Sequence, residues 1–162
     1  MLSLGHRSIV HVAGPEDVSS TVNRLTAFDE TPRAVGLTGP HEFADRHIEE
    51  GGYRLTLQLL EQHAETTAVV AANGRLALGV IDAIRETGRV CPDDVSVVGF
   101  NDMLYGDRFS PTLTTVRISH YDLGSKAASL LLDTIADPSR PTETRLIASE
   151  LMIRGSTSAV ST

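Results

Sequence analysis

Short apolar runs alternate with longer amphipathic stretches along most of the chain. A continuous apolar run of about four to eight residues predicts a strand whose two faces are both covered by helices. Such runs lie at 8–13, 67–72, 95–100 and 113–118, with weaker ones at 42–45 and 144–153. Amphipathic stretches predict helices at 48–63, 76–87 and 121–136. Strands separated by single helices indicate an α/β fold, a three-layer αβα arrangement around a parallel sheet.

Glycines mark the predicted helices in two ways. Gly88 follows the strongest helical stripe and is a typical C-terminal stop, because glycine readily adopts a left-handed conformation. Gly51 and Gly52 fall in the first turn of the helix at 48–63, and each should weaken it by roughly 1 kcal/mol relative to alanine.

The region after the first strand allows two interpretations. Ser19 or Ser20 can cap a helix, but Pro32 should disturb that helix because proline lacks the N–H and clashes with the preceding turn. The alternative is a strand at 34–38. At the other end of the chain, the Ser/Thr-rich tail beyond Gly155 is expected to be mobile.

Composition narrows the class of protein. The 162 residues suit a single buried core, and 41% are hydrophobic. A net charge of −7 with Lys126 as the one lysine argues against direct nucleic-acid binding, which needs clustered cations. No apolar run reaches the ~20 residues that span a membrane, and the N-terminus does not resemble a secretory signal, so the expected location is the cytoplasm. Cys91, the single cysteine, is interpreted as a passive thiol.

Polar residues follow the predicted strands at the points where ligands bind in parallel sheets, namely the carboxyl ends of the strands. They are Ser20, Arg24, His47, Asn73, Asn101 and Asp102. Amides, a carboxylate and a guanidinium together suit a hydroxyl-rich or amide-bearing small molecule. Each has a plainer interpretation: Asn73 can cap the next helix, Asp102 can be a structural acceptor, and Arg24 can be a solvated charge.

Catalytic and metal sites find little support. The chain has neither a Gly-x-Ser-x-Gly elbow nor a Gly-rich phosphate loop, and no nucleophile is paired with a base. The histidines lack the helical spacing with a carboxylate that a persuasive metal site would show, and His6 and His11 are expected to pack against their own strand. We therefore predict neither enzymatic activity, nor a cofactor, nor a metal.

Seven collinear strings give the chain a resemblance to the effector domain of the lactose and galactose repressor (LacI/GalR) family of transcription regulators. One string alone would be weak evidence, but chance must reproduce all seven in order. They are 4–9 with 13–15, Arg24-Leu25 with Phe28, Gly52-Tyr53, 67–79, 92–102, Pro111 with 113–116, and Leu123-Gly124.

The resemblance implies a periplasmic-binding-protein-like fold of type I, with two lobes and a ligand between them. Residues 1–114 would form the C-terminal effector-binding lobe. Residues 115–148 would be a crossover segment belonging to the other lobe, which the chain does not contain. Residues 149–162 would hold the return strand and tail. The helix-turn-helix of such a regulator has no counterpart here, so operator DNA would be contacted only through a missing N-terminal domain.

The resemblance also implies roles for single residues. Arg24, Asn73 and Asn101 match effector-binding positions, although Asn101 stands where an aspartate is common. His47 falls where relatives place a stacking aromatic, His120 falls near an apolar cleft position, and Ser20 lies on the first cleft loop.

Gly74 replaces the aspartate usual after the asparagine, which puts local helix capping in question. Leu78 and Phe109 would lie in a homodimer interface.

The implied function is that of an effector sensor for a sugar or a nucleobase-like compound. The alternative is a solute-binding protein of a sugar transporter, which shares the fold but should carry a secretory signal. A small hydrolase is a third, weaker alternative, because the chain offers no nucleophile–base pair.

Overall fold

A computed structural model describes residues 1–37, 39–104 and 106–160, and within them the chain forms one six-stranded sheet with four α-helices. The strands are β1 (Ile9–Ala13), β2 (His41–Phe43), β3 (Ala68–Ala71), β4 (Ser96–Phe100), β5 (Thr114–Arg117) and β6 (Glu150–Met152). The helices are α1 (Ser19–Arg33), α2 (Glu49–Gln62), α3 (Gly74–Glu86) and α4 (His120–Ala136). Short 3₁₀ turns occupy Leu2–Leu4 and Gly106–Arg108.

The sheet has the order β2-β1-β3-β4-β5-β6. The first five strands pair in parallel, as the β-α-β pattern predicted, and this confirms the α/β fold class. β6 pairs antiparallel with β5, which the sequence did not predict. An edge strand needs only one partner, so it can run in either direction.

The two faces of the sheet are covered unequally. On one face, alternate strand residues such as Val10, Val69 and Val97 are completely buried against α2 and α3. On the other face lies α1, and Val98 and Val116 there remain half-buried. The hydrophobic core therefore sits between the sheet and the α2–α3 pair.

Two glycines allow α2 and α3 to pack backbone against backbone. A Cβ on Gly79 would overlap the carbonyl oxygen of Glu49, and a Cβ on Gly52 would overlap that of Leu76. Helix axes approach this closely only where small residues meet. The sequence identified Gly52 as a local weakness, and the structure shows why the position holds glycine.

Two expectations for the region after β1 are corrected by the structure. α1 continues to Arg33, past Pro32. Proline breaks a helix mainly in its interior, and Pro32 is the last residue but one of α1, so almost no helix follows it. Residues 34–36 form a turn, so the alternative strand at 34–38 is not formed over them, and Thr38 lies outside the described residues.

The C-terminal region also departs from expectation. The last strand covers Glu150–Met152 only, since those are the residues that lie opposite β5. The tail was expected to be mobile, but Ser156 is completely buried and its hydroxyl donates to Val97 O (2.7 Å) and accepts from Thr114 N (2.8 Å). These bonds hold the start of the tail between β4 and β5, whereas residues 161–162 lie outside the described residues.

α4 projects from the sheet. None of its residues is buried, and Leu131 and Ile135 are 61% and 66% exposed. The side chain of Ser119, the N-cap residue, accepts a hydrogen bond from Asp122 N. The start of α4 is therefore stabilised by a local contact and not by packing against the sheet. No helix in the described part of the chain is long and apolar enough to cross a membrane.

The close approach of α2 and α3 yields a stability prediction. Gly79→Ala should lower the free energy of unfolding by about 1–3 kcal/mol, because the added methyl group forces the two helix backbones apart. Gly124→Ala in α4 is the matched control, because a Cβ there meets open space. It should leave stability unchanged or raise it by up to about 1 kcal/mol. Urea unfolding measures both, and equal effects of the two substitutions would refute the packing argument.

Candidate functional site

The carboxyl ends of β1, β3 and β4 meet at one edge of the sheet. Parallel pairing sets this: Val12 lies opposite Ala71, and Val70 lies opposite Val98. The turns after these strands therefore emerge side by side, together with the loop after β2. This edge is where ligands bind in open parallel sheets.

Arg24 lies at this edge and bridges two strands. Its guanidinium carbon is 4.0 Å from the centre of the Phe100 ring, and its Nη1 donates to Ala72 O at 3.2 Å. Partial burial lowers the pKa of this guanidinium from its ordinary value, but it stays charged. The alternative of a solvated helix charge is wrong, because the ring and the carbonyl hold the side chain over the sheet. The guanidinium has five N–H donors, so one bond to Ala72 leaves others to a ligand.

His47 packs over Gly14 at the end of β1. A Cβ on Gly14 would overlap the His47 ring and lie 2.6 Å from the Thr21 hydroxyl oxygen. Burial, and then the charge of Arg24, lower the pKa of His47, so the ring is neutral at pH 7. A neutral imidazole can both donate to and accept from a polar ligand.

Thr21 is a further candidate for this site that the sequence did not predict. Its hydroxyl is completely buried and has no hydrogen-bond partner within the described part of the chain. Helical spacing in the sequence could have indicated Thr21, because it lies three residues before Arg24 and so on the same face of α1. Ser20, the residue predicted instead, is half-buried in the first turn of α1.

Asn73 caps α3. Its extended backbone and its Oδ1, which accepts from Leu76 N at 2.8 Å, make it a standard N-cap. Gly74 does not impair this cap, contrary to the doubt raised by the sequence. A Cβ at Gly74 would lie 2.6 Å from Met103, so glycine admits that side chain from the loop after β4.

Asn101 and Asp102 form a tight corner after β4. Both have left-handed backbones, with φ of 82° and 44°, a conformation that asparagine and aspartate tolerate better than most residues. Asn101 N donates to Val116 O at 2.9 Å, which fixes the corner against β5. The corner holds Asn101 at the same edge of the sheet as Arg24 and Phe100.

Asp102 is a structural acceptor, as its plainer interpretation predicted. Its two oxygens lie 2.7 Å from Arg117 Nε and 2.7 Å from Arg154 Nη1. Hydrogen bonds from Arg154 and then Arg117 outweigh burial and hold the pKa of this carboxyl below its ordinary value. Neither arginine was predicted, because both are distant in sequence and no local pattern points to them.

Among the described residues, no contact joins His120 to the polar residues of the candidate site. It is the exposed first residue of α4. Leu78 is half-buried on α3, and Phe109 is half-buried and packs against the hydrophobic core. No group of three or more His, Cys, Asp or Glu side chains in the described ranges is placed to hold a metal ion. Burial raises the pKa of Cys91 to about 12, so its thiol is protonated at neutral pH.

An apolar cavity of about 510 Å³ adjoins Arg24 on the less covered face of the sheet. Its wall includes Phe28, Phe100 and His11, whose ring stacks on Phe28 at 4.9 Å between centroids. His11 Nδ1 lies 2.7 Å from Val70 O, but its Nε2 is buried without a partner within the described residues. Burial lowers the pKa of His11 from its ordinary value.

The chain matches one known protein family over nearly its whole length. Residues 1–157 match the family described as periplasmic binding protein-like domain. The HTH-type transcriptional repressor PurR of Histophilus somni is 34% identical over 158 residues, which are 96% of this chain and 47% of that protein. The chain thus spans about half the length of the curated relatives it matches.

Two solved structures show how close the fold is. The lac repressor dimer bound to operator and the anti-inducer ONPF matches with a TM-score of 0.90 and 28% identity, over 98% of this chain and 55% of that chain. A LacI family regulator from Enterococcus faecium with bound ribose matches with a TM-score of 0.88 and 29% identity, over 99% of this chain and 60% of that chain.

The cap at α3 gives a prediction about stability. Asn73→Ala should lower the free energy of unfolding by about 1 kcal/mol, because the N–H of Leu76 loses its acceptor. Asn73→Ser should retain most of that stability, since serine also caps. Thermal unfolding of the two variants measures the difference, and equal losses in both would contradict the capping role.

His11 should make stability depend on pH. Its folded pKa is lowered, so below the ordinary histidine pKa of about 6.5 the unfolded chain takes up a proton that the folded chain does not. The free energy of unfolding should therefore fall as the pH drops from about 7.5 to about 5.5. Replacing His11 with the neutral amide in His11→Gln should reduce this fall. Urea titrations at several pH values test it, and an unchanged slope in the variant would exclude His11 as a source.

Proposed function

This chain belongs to the family of periplasmic-binding-protein-like domains, and from that premise we propose that it is the effector-sensing part of a LacI-type transcription regulator. A small polar ligand binds at the carboxyl ends of β1, β3 and β4. Its binding changes the relative arrangement of two lobes, of which this chain supplies one. A DNA-binding part outside these 162 residues carries the response to operator DNA.

One observation carries this proposal: Arg24 is held against the Phe100 ring at the edge of the sheet where His47 and Asn101 also lie. An aromatic surface with convergent donors and acceptors suits a flat, hydroxyl-rich or amide-bearing ring. A sugar or a nucleobase-like compound has that chemistry. The ribose bound to the related regulator from Enterococcus faecium supports the sugar class.

The exposure of α4 supports a division of the chain between two lobes. Residues 1–114 form the effector-binding lobe, 115–148 form the crossover to the other lobe, and 149–162 return to the first. Thr115 and Val116 still pair with β4 in this sheet and β5 continues to Arg117, so the chain leaves the first lobe only after Arg117. A helix with an apolar stripe and no buried residue needs a partner surface, which the other lobe would supply. Half of the cleft lies in that lobe, so this chain alone binds its effector weakly.

The net charge of −7 agrees with a sensor that does not itself grip DNA. The relatives are named as repressors, which supports a regulator rather than a solute-binding protein of a transporter. A regulator of this kind works in the cytoplasm and has no catalytic step, so its only small-molecule partner is the effector.

We place the homodimer contact on α3 and the loop after β4. Leu78 is half-buried on α3, and Leu104, in the loop after β4, is 75% exposed. Phe109 is half-buried and packs against the hydrophobic core, so only part of its side chain is available to a partner.

Calorimetry with ribose, other sugars and nucleobases, at high ligand concentration, tests the binding site. Arg24→Gln should weaken binding roughly tenfold or more, because a charged hydrogen-bond donor is lost. Arg85→Gln is the control, since Arg85 pairs with Asp82 on the exposed face of α3 and lies outside the candidate site. A compound that binds both variants as tightly as the unaltered chain would disprove the assignment of Arg24.

Light scattering tests the dimer. Leu78→Asp should convert a dimer to a monomer, because a charge placed in an apolar interface is costly to desolvate. Val35→Asp, at a 58% exposed position outside the proposed contact, should leave the mass unchanged. A mass that is the same for the unaltered chain and the Leu78 variant would count against this surface.

A further inference from the structure

One carboxylate and two guanidinium groups form an ion-pair cluster where the segment that carries α4 joins the sheet. Asp102 is 12% exposed, and its carboxylate binds Arg117 and Arg154 at 2.7 Å each. Arg154 is itself 16% exposed and also donates to Leu113 O at 2.8 Å. One carboxylate therefore holds two guanidinium groups that would otherwise face each other, and partial burial strengthens both attractions.

The two arginines mark the two ends of one excursion of the chain. Arg117 is the last residue of β5, directly before the chain leaves the sheet, and Arg154 follows β6, where the chain has returned. The excursion, residues 118–149, contains α4. Asp102 thus ties the point of departure and the point of return to the end of β4.

Apart from these ion pairs, the two ends of the excursion are joined by the β5–β6 pairing and by Arg117 Nη1, which lies 3.8 Å from Glu150 Oε2. Each hydrogen bond and ion pair found for residues 119–149 has both partners inside that range, such as Arg140 with Asp133 at 2.8 Å. No residue of α4 is buried against the sheet. Its orientation is therefore decided at the base, at 117 and 150–154.

The same corner lies at the edge of the sheet that carries the candidate ligand site. Asn101 precedes Asp102, and both have left-handed backbones. Asn101 N donates to Val116 O at 2.9 Å, and Asp102 N donates to the Thr115 hydroxyl at 3.2 Å. A displacement of Asn101 by a ligand would therefore move Asp102 and, through it, both arginines.

We propose that Asp102 is a positioning residue that sets the angle between residues 118–149 and the sheet and couples that angle to the occupant of the cleft. The coupling rests on the proposed function, whereas the positioning role rests on the contacts alone. No direct contact between Asp102 and a ligand is required.

The test uses pulsed electron resonance between two spin labels on the full chain. The labels sit at Leu132→Cys on α4 (66% exposed) and at Glu61→Cys, an exposed position on α2, in a Cys91→Ser background. We expect a narrow distance distribution in this reference chain and a markedly broader one in Asp102→Asn. Asp82→Asn, which removes an exposed partner of Arg85, is the matched control and should change nothing.

Arg117→Gln provides a second variant in case Asp102→Asn does not fold. Arg117 is 43% exposed, and the Asp102–Arg154 pair remains, so a folded chain with intermediate broadening is expected. A reference distribution that is already broad, or variants as narrow as the reference, would overturn the positioning role.

Ribose then serves as the probe for coupling, with calorimetry on the same samples. In the reference chain saturating ribose should shift the distance, and in Asp102→Asn the shift should be lost while the affinity stays within about threefold. A merely structural role would not separate binding from the shift. An equal shift in both chains overturns the coupling, as does ribose that binds the reference chain without any shift. If ribose and the wider panel fail to bind the reference chain, the proposed function fails, and with it the coupling, while the ligand-free distances still decide the positioning role.

Discussion

The parallel register of β1, β3 and β4 determines where the polar groups of this protein can meet. Hydrogen bonds across the sheet align the three strands so that their carboxyl ends finish together. The polar residues of the candidate site lie in the loops that begin at this edge or, for Thr21 and Arg24, in the first turns of α1. A slip of one residue in β3 would exchange its two faces and place Val70 in the α2–α3 core.

Unequal covering of the two faces gives the sheet two different roles. The face under α2 and α3 is tightly packed, with glycines where the helices cross, and it makes the sheet rigid. The face beside α1 keeps a cavity, and this is the face on which Arg24 reaches Phe100. A rigid support beneath a partly open surface is suited to binding, because the polar groups are held in place before the ligand arrives.

Arg24 and Asp102, two charged side chains at this edge of the sheet, serve different purposes. Arg24 is oriented by an aromatic ring and one carbonyl, so much of its hydrogen-bonding capacity remains for a ligand. Both carboxylate oxygens of Asp102 bind arginines, so it has little capacity left to bind a ligand. Its role is to hold those arginines in position. Two charged residues within one edge of the sheet thus divide recognition from positioning.

Local patterns in the sequence carried much of the fold. The stripe of α3 and the apolar runs of β1, β3 and β4 predicted elements close to those observed, because periodicity depends on residues near in sequence. The antiparallel direction of β6, the attachment of the tail through Ser156, and the partners of Asp102 could not be predicted that way, since each depends on residues brought together by folding. Arg24 was identified as a site residue, but its stacking on Phe100 required the sheet.

If the carboxyl edge of the sheet binds a small polar ligand, nuclear magnetic resonance of the isotopically labelled chain will show this during a ribose titration. We expect shifts concentrated at Thr21, Arg24, His47 and Asn101, together with Asp102. Shifts confined to the opposite edge of the sheet, around His6 and Arg89, would show that the carboxyl edge is not the binding site.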